Sequence, residues 1–163
     1  MHPIIERFRR QTPPPTQRPP LSIADIEEAE RRLGFPLPEL LRELYTEIGD
    51  GGFGPSYGLL PLLTPVEEVK LMNANLPRIE SAIELYILFK KGDPGDPSWL
   101  WPDRLLPILD WGCAIRSCVD CSTLSLPIIR DEPYVRRITE SPSFERWLEN
   151  WLNGLDLWPI RES

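Results

Sequence analysis

The stretch LSIADIEEAERRLGFPLPELLRELYTEIGDGGFGPSYGLLPL, Leu21–Leu62, decides the fold class. It reads as two amphipathic helices joined by a proline-punctuated elbow, then a glycine-rich turn into a strand. Ser22 is placed to cap the first helix, with Asp25 three residues on to reciprocate. Ile23, Ile26, Ala29 and Leu33 recur at helical spacing on one side, and Gly34 supplies a left-handed stop. Phe35-Pro36-Leu37-Pro38 cannot continue that helix, because proline lacks an amide hydrogen and restricts its predecessor. Pro38 suits the first position of the second helix. There Leu40, Leu41, Leu44, Tyr45 and Ile48 form a wide apolar stripe, ended by Gly49. Asp50-Gly51-Gly52-Phe53-Gly54 makes the turn, and Tyr57–Leu63 is apolar enough for a strand.

Outward from this stretch, Ile4 to Arg10 suggests a short helix with Ile4, Ile5 and Phe8 on one side. Thr12–Pro20 is proline-rich and reads as an extended spacer. This divides the chain into an arm over residues 1–20 and a domain over residues 21–163. Downstream, Thr64, Pro65 and Glu67 look like a third helix start, running through Val66, Val69 and Met72. Ile79–Lys90 is a fourth helical candidate with a strand-like tail, YILF, and Lys91–Pro97 is a loop. Ile108–Trp111 and Ala114–Asp120 read as strands turned by Gly112. Leu124–Arg130 and Val135–Ile138 read as two more, with Pro127 and Pro133 at terminal or edge positions. Ser141-Pro142 opens a last helix with the stripe Phe144, Trp147, Leu148, Trp151 and Leu155, closed by Gly154. Helices lead, strands cluster in the second half and a helix ends the series. That order predicts an α+β fold with an antiparallel sheet.

The order of these motifs resembles a SUKH-superfamily domain. The likeness rests on helix, LG-x-x-LP, helix with a Leu-Tyr pair, then GDGGFG and an apolar segment. It continues through LLPILDWGCAIRSCVDC (Leu105–Cys121), LSLPIIRDE (Leu124–Glu132) and SPSFERWLENWLNG (Ser141–Gly154), and so spans most of Leu21–Gly154. The segment from about Asn73 to Trp99 fits the pattern less well. The resemblance implies a small α+β domain of the kind found among bacterial immunity proteins that bind a cognate toxin, and in some eukaryotic regulatory proteins.

Composition narrows the function classes. The 163 residues carry 25 acidic and 18 basic side chains, a formal charge of −7. That argues against a nucleic-acid backbone as partner, since binding one takes a basic patch. It favours a neutral or basic partner, with charge steering the encounter. No apolar run approaches the ~20 residues of a membrane span. The start, MHPIIERFRRQ, lacks a signal-peptide core. Three cysteines do not suggest a disulfide framework, so a reducing cytoplasm is the expected location.

Catalytic signatures are weak. The one histidine is His2, which disfavours a histidine-based triad or acid–base mechanism. Cys118-Val119-Asp120-Cys121 has the two-residue gap of metal and redox pairs, but there is no second pair, and strand alternation sends Cys118 and Cys121 to opposite faces. Glu27/Glu28, Glu67/Glu68 and Asp131/Glu132 are adjacent and do not converge. Asp50–Gly54 follows a helix and precedes a strand, the reverse of a phosphate cradle. No cofactor and no metal are expected. The reading is therefore a protein-binding immunity protein that occludes the active face of a basic toxin such as a nuclease. The alternatives are a regulatory interaction domain and a small cysteine or carboxylate enzyme. Asp50, Phe53, Tyr57, Trp99, Trp101, Asp103 and Asp110, in turns or at strand entries, are the candidate partner-binding residues, since loops carry recognition and aromatics anchor interfaces.

Overall fold

The structure is a computed structural model that describes residues 1–11, 18–63 and 81–160. The expected helix beginning at Thr64 and the centre of the proline-rich arm lie outside the described residues. Helix α1 (Pro3–Gln11) buries Ile4, Ile5 and Phe8, the side its spacing predicts. Phe8 stacks on Trp151 at 5.5 Å and meets Phe53 edge-on at 5.7 Å, so α1 belongs to the same core as the rest of the chain.

Helix α2 (Ile23–Leu33) starts at the expected capping box. The Ser22 hydroxyl accepts the Asp25 amide, the Asp25 carboxylate accepts the Ser22 amide, and Gly34 ends the helix in the left-handed region. Ile26, Ala29 and Leu33 are buried, but Ile23, in the unpacked first turn, is 75% exposed. Helix α3 (Glu39–Glu43) begins one residue later than expected, with Pro38 as its cap. It then widens into a π-helical turn over Leu44–Ile48, closed by the Gly49 amide on the Leu44 carbonyl at 3.3 Å. The sequence stripe does not distinguish that widening from an α-helix. Leu40, Leu41, Leu44, Tyr45 and Ile48 are all buried.

The glycine turn is a close backbone crossing. A Cβ on Gly51, at φ +81°, would stand 2.6 Å from the Leu59 carbonyl oxygen; one on Gly58, at φ +88°, would stand 2.6 Å from the Gly52 carbonyl carbon. The expected strand over Tyr57–Leu63 is absent: Leu59 alone pairs with Leu109. The reason is hydrogen-bond supply. The Leu60 amide donates to the Ile108 carbonyl, Pro61 has no amide hydrogen, and the Leu62 amide donates to the Asp50 carboxylate at 2.7 Å. The buried Tyr45 hydroxyl donates to the Leu60 carbonyl at 2.6 Å and locks this segment to the helix pair.

Helix α4 (Ala82–Lys91) is capped by Ser81, whose hydroxyl accepts the Glu84 amide; the strand-like YILF lies within this helix. Strands β1 (Leu105–Gly112), β2 (Ile115–Asp120), β3 (Ile128–Glu132) and β4 (Arg136–Ser141) form one antiparallel sheet in that order. The fold is the expected α+β class. Strand β3 starts four residues later than expected, because Leu126 sits at φ +52° and Leu124 is fully exposed. Helix α5 (Phe144–Leu152) is capped by Ser143 instead of Ser141, and Leu155 falls beyond its end. Ser141 is buried and donates to the Ser143 carbonyl.

Three register shifts shape the sheet. Ile108 and Trp111 have no partner residue on β2, and Glu140 has none on β3. Such bulges re-aim a side chain or free a backbone group. At Ile108 the carbonyl takes the Leu60 amide, so the shift attaches the Leu59–Leu62 segment to the sheet edge.

Gly58→Ala combines a left-handed backbone with a direct clash, so it is expected to lower stability by about 2 kcal/mol or more. Urea unfolding followed by tryptophan fluorescence measures this. Gly34→Ala, with nothing within 4 Å of the added carbon, is expected to cost less.

Candidate functional site

Successive strand residues point to opposite faces, so the sheet register sorts its charges. Ser117 and Arg130 pair across β2 and β3 and share one face; Arg116, Asp131 and Arg137 pair across β2, β3 and β4 on the other.

The first face holds a buried ion pair. Arg130 and Glu140 have side chains only 3% and 4% exposed and meet at 2.9 Å. Glu140 lies two residues beyond Ile138, the partner of Arg130, and so on the same face; its carboxylate also accepts the Trp147 indole N–H at 3.0 Å and the Ser117 hydroxyl at 2.7 Å. Ser117 in turn accepts the Trp111 indole N–H at 2.7 Å. Arg130 donates onward to the carbonyls of Leu157 and Trp158, and its guanidinium lies 4.9 Å from the ring centroids of both Trp111 and Trp158. This network fastens the segment after α5 to the sheet. It is structural: every partner is internal.

The segment between α4 and β1 packs on the second face, which leaves Arg137 and Thr139 of β4 exposed. Trp101 is buried and donates its indole N–H to the Leu105 carbonyl at 2.8 Å. Phe89 lies 4.7 Å from Trp101, Trp101 stacks with Trp99 at 6.3 Å, and Trp99 meets Tyr134 at 6.0 Å. Arg137 lies over Trp101 at 4.9 Å and pairs with Asp131 at 2.9 Å; Arg116 lies over Phe89 at 5.2 Å. Burial raises the Asp131 carboxyl above its ordinary range, opposed by the bond from Arg137. At its outer end this aromatic series opens into a cleft of about 320 Å³ between Trp99, Leu100, Tyr134 and Val135. Leu100, Tyr134 and Val135 are 76%, 82% and 74% exposed. Exposed aromatic and aliphatic side chains in one place mark interaction surfaces more than isolated ones do.

The seven sequence-selected residues do not form one patch. Asp50 is buried, accepting the Leu62 amide with Arg18 3.9 Å away, and Phe53 and Trp101 are core residues. These three hold turns in place. Tyr57 is 82% exposed in the glycine turn. Asp110 caps the β1–β2 turn by accepting the Gly112 amide. Asp103 is exposed and paired with Lys90, which also donates to the Trp101 carbonyl. Trp99 alone of the seven lines the cleft. Tyr134 and Val135, reached by the β3–β4 turn, were not foreseen; an aromatic next to an apolar residue in the Pro133–Val135 turn was the available signal.

The model of the SMI1 / KNR4 family (SUKH-1) matches residues 20–150. The chain belongs to this family. No curated protein matches it. The ion-pair network of this SUKH-1 domain extends past the matched range, since Leu157 and Trp158 supply its last two acceptors. Among the described residues no group of three or more histidine, cysteine, aspartate or glutamate side chains could hold a metal ion, and no helix is long and apolar enough to cross a membrane. All three cysteines are free. Burial pushes the Cys118 thiol well up and the Cys121 thiol to about 12, so both stay protonated at neutral pH and are poor nucleophiles.

Glu140→Ala leaves a guanidinium buried without its carboxylate, and a stability loss of about 3–5 kcal/mol is expected in chemical denaturation. Alkylation by iodoacetamide at pH 8, read by intact and peptide mass, is expected to label exposed Cys113 well before Cys121 or Cys118.

Proposed function

We propose that this SUKH-1 domain is an immunity-type protein that binds a cognate protein toxin in the cytoplasm and occludes its active face, without catalysis of its own. The observation that carries the reading is the cleft that half-buried Trp99 forms with exposed Leu100, Tyr134 and Val135 on a member of this family. The two central strands are largely buried, while the edge strand β4, beside which this cleft lies, keeps Arg136, Arg137 and Thr139 exposed. The formal charge of −7 suits a basic partner such as a nuclease. In this reading Trp99 and Tyr134 are anchors that set residence time. Asp103, Asp110 and Tyr57 are peripheral contributors, with the charges among them setting the encounter rate. Asp50, Phe53 and Trp101 act by holding the surface in shape.

The test is binding of the purified chain to the product of the adjoining reading frame, together with protection of cells expressing that product. Tight binding with protection supports the immunity reading. Binding without protection favours a regulatory interaction domain. Tyr134→Ala is expected to raise the dissociation rate by about 30-fold, the effect of a ~2 kcal/mol hot spot, with little loss of stability. Asp103→Lys is expected to slow association in a salt-dependent way. Unchanged kinetics for Trp99→Ala and Tyr134→Ala together would remove the cleft from the binding surface.

A further inference from the structure

A second recess, of about 540 Å³, lies where α2 and α4 end side by side. Beneath it lie Phe35 and Tyr86, buried rings that meet edge-on at 5.5 Å. Its rim carries Arg32, Lys90, Lys91 and Arg104 against the single carboxylate of Asp103. In a chain of net charge −7, this is a local surplus of three positive charges. Part of it answers the carbonyl ends of the two helices, worth roughly half a negative charge each. About two positive charges then remain unanswered. Asp103 is engaged by Lys90, whose hydrogen bond holds that carboxyl below its usual range. Among the described residues, Arg32, Lys91 and Arg104 form no ion pair.

Two further features set the recess apart from a solvated cationic surface. Arg104 is held at φ +63°, a left-handed conformation that costs a non-glycine residue energy. It is fixed there from both sides: its amide donates to the Tyr86 hydroxyl at 3.0 Å, and its carbonyl accepts the Cys121 amide at 2.9 Å. The strained backbone sets the guanidinium 5.7 Å from the Phe35 ring centroid. The Tyr86 hydroxyl, used as an acceptor by Arg104, keeps its own proton to donate.

We propose that this recess binds a phosphate monoester dianion. The phosphate would sit among Arg32, Lys91 and Arg104, with the ester group over half-buried Ile87. A volume of this order is that of a small-molecule site. A monocarboxylate would leave about one positive charge unanswered, whereas a phosphate dianion matches the surplus. The inference does not depend on a toxin partner.

Phenyl phosphate titrated into the full-length ¹⁵N-labelled chain tests it. Saturable shifts are expected at the amides of Gly34, Gly92 and Arg104, with Kd below about 1 mM. Arg32→Gln combined with Lys91→Gln changes two exposed side chains and is expected to weaken binding by at least about tenfold, through loss of two charge-assisted bonds. Arg31→Gln and Arg42→Gln, whose cations pair with Glu28 and Glu30 away from the recess, are expected to leave it unchanged. Absence of saturable shifts at these amides, equal binding by the double variant, or equal affinity for phenol or succinate would each overturn the proposal.

Discussion

A charge removed from water must be paired and fully hydrogen-bonded, and the Arg130–Glu140 contact meets that requirement. Desolvating two such ions costs several kcal/mol each, so the attraction between them alone gives little net stability. What makes the arrangement tenable is its surroundings. Arg130 makes four hydrogen bonds, two to Glu140 and two to backbone carbonyls of the C-terminal segment. Glu140 takes two more from Trp147 and Ser117. Strand alternation places Glu140, two residues beyond Ile138, on the face of Arg130, and the β4 bulge leaves it without a partner residue on β3. On the opposite edge of the sheet Trp111, two residues beyond Leu109, the partner of Ser117, shares that face and donates its indole N–H to Ser117. One polar cluster thus ties β1, β2, β3, β4, α5 and the tail to a single arrangement.

How much of this was legible depends on how local the signal is. Capping chemistry and glycine stops act within four residues, so α2 and its boundaries could be read from Ser22, Asp25 and Gly34. The buried stripes of α1, α3 and α5 followed from periodicity. The errors lie where the answer depends on a distant partner. Pro61 and Asp50 together decide that Leu59–Leu62 is not a strand, and Asp50 lies twelve residues from the amide it accepts. The pairing of Glu140 depends on a distant residue, Arg130; the cue was an arginine inside the apolar run Ile128-Ile129-Arg130. The Ser81–Glu84 cap was readable and would have resolved the helix-or-strand ambiguity of YILF. For the candidate surface, exposure was the unreadable quantity: Phe53 and Trp101 have the residue types of interface anchors, yet the core takes them.

Burying the inner strands of a four-stranded sheet while its last strand stays exposed has a consequence for recognition. A sheet that leaves one whole face open presents a broad platform; this one leaves the β4 edge. The aromatic series runs from half-buried Phe89 through buried Trp101 to exposed Tyr134, so the outer rings are supported by the inner ones. A rigid aromatic edge loses little conformational freedom on contact with a partner. The cationic recess between α2 and α4 is a separate margin with the opposite chemistry, which lets one small domain address two kinds of ligand.

The first and last helices are joined by the Phe8–Trp151 stack and by the Arg7 bond to Asn153, while the tail beyond them is held by Arg130. Neither end can therefore peel away alone: releasing α5 uncovers Phe8 and strands the guanidinium, and releasing α1 uncovers Trp151. Fraying, which in most small domains begins at loose extremities, is here coupled to loss of the central sheet. The molecule should open as a single unit, with its outermost helices exchanging their amide hydrogens nearly as slowly as its innermost strands.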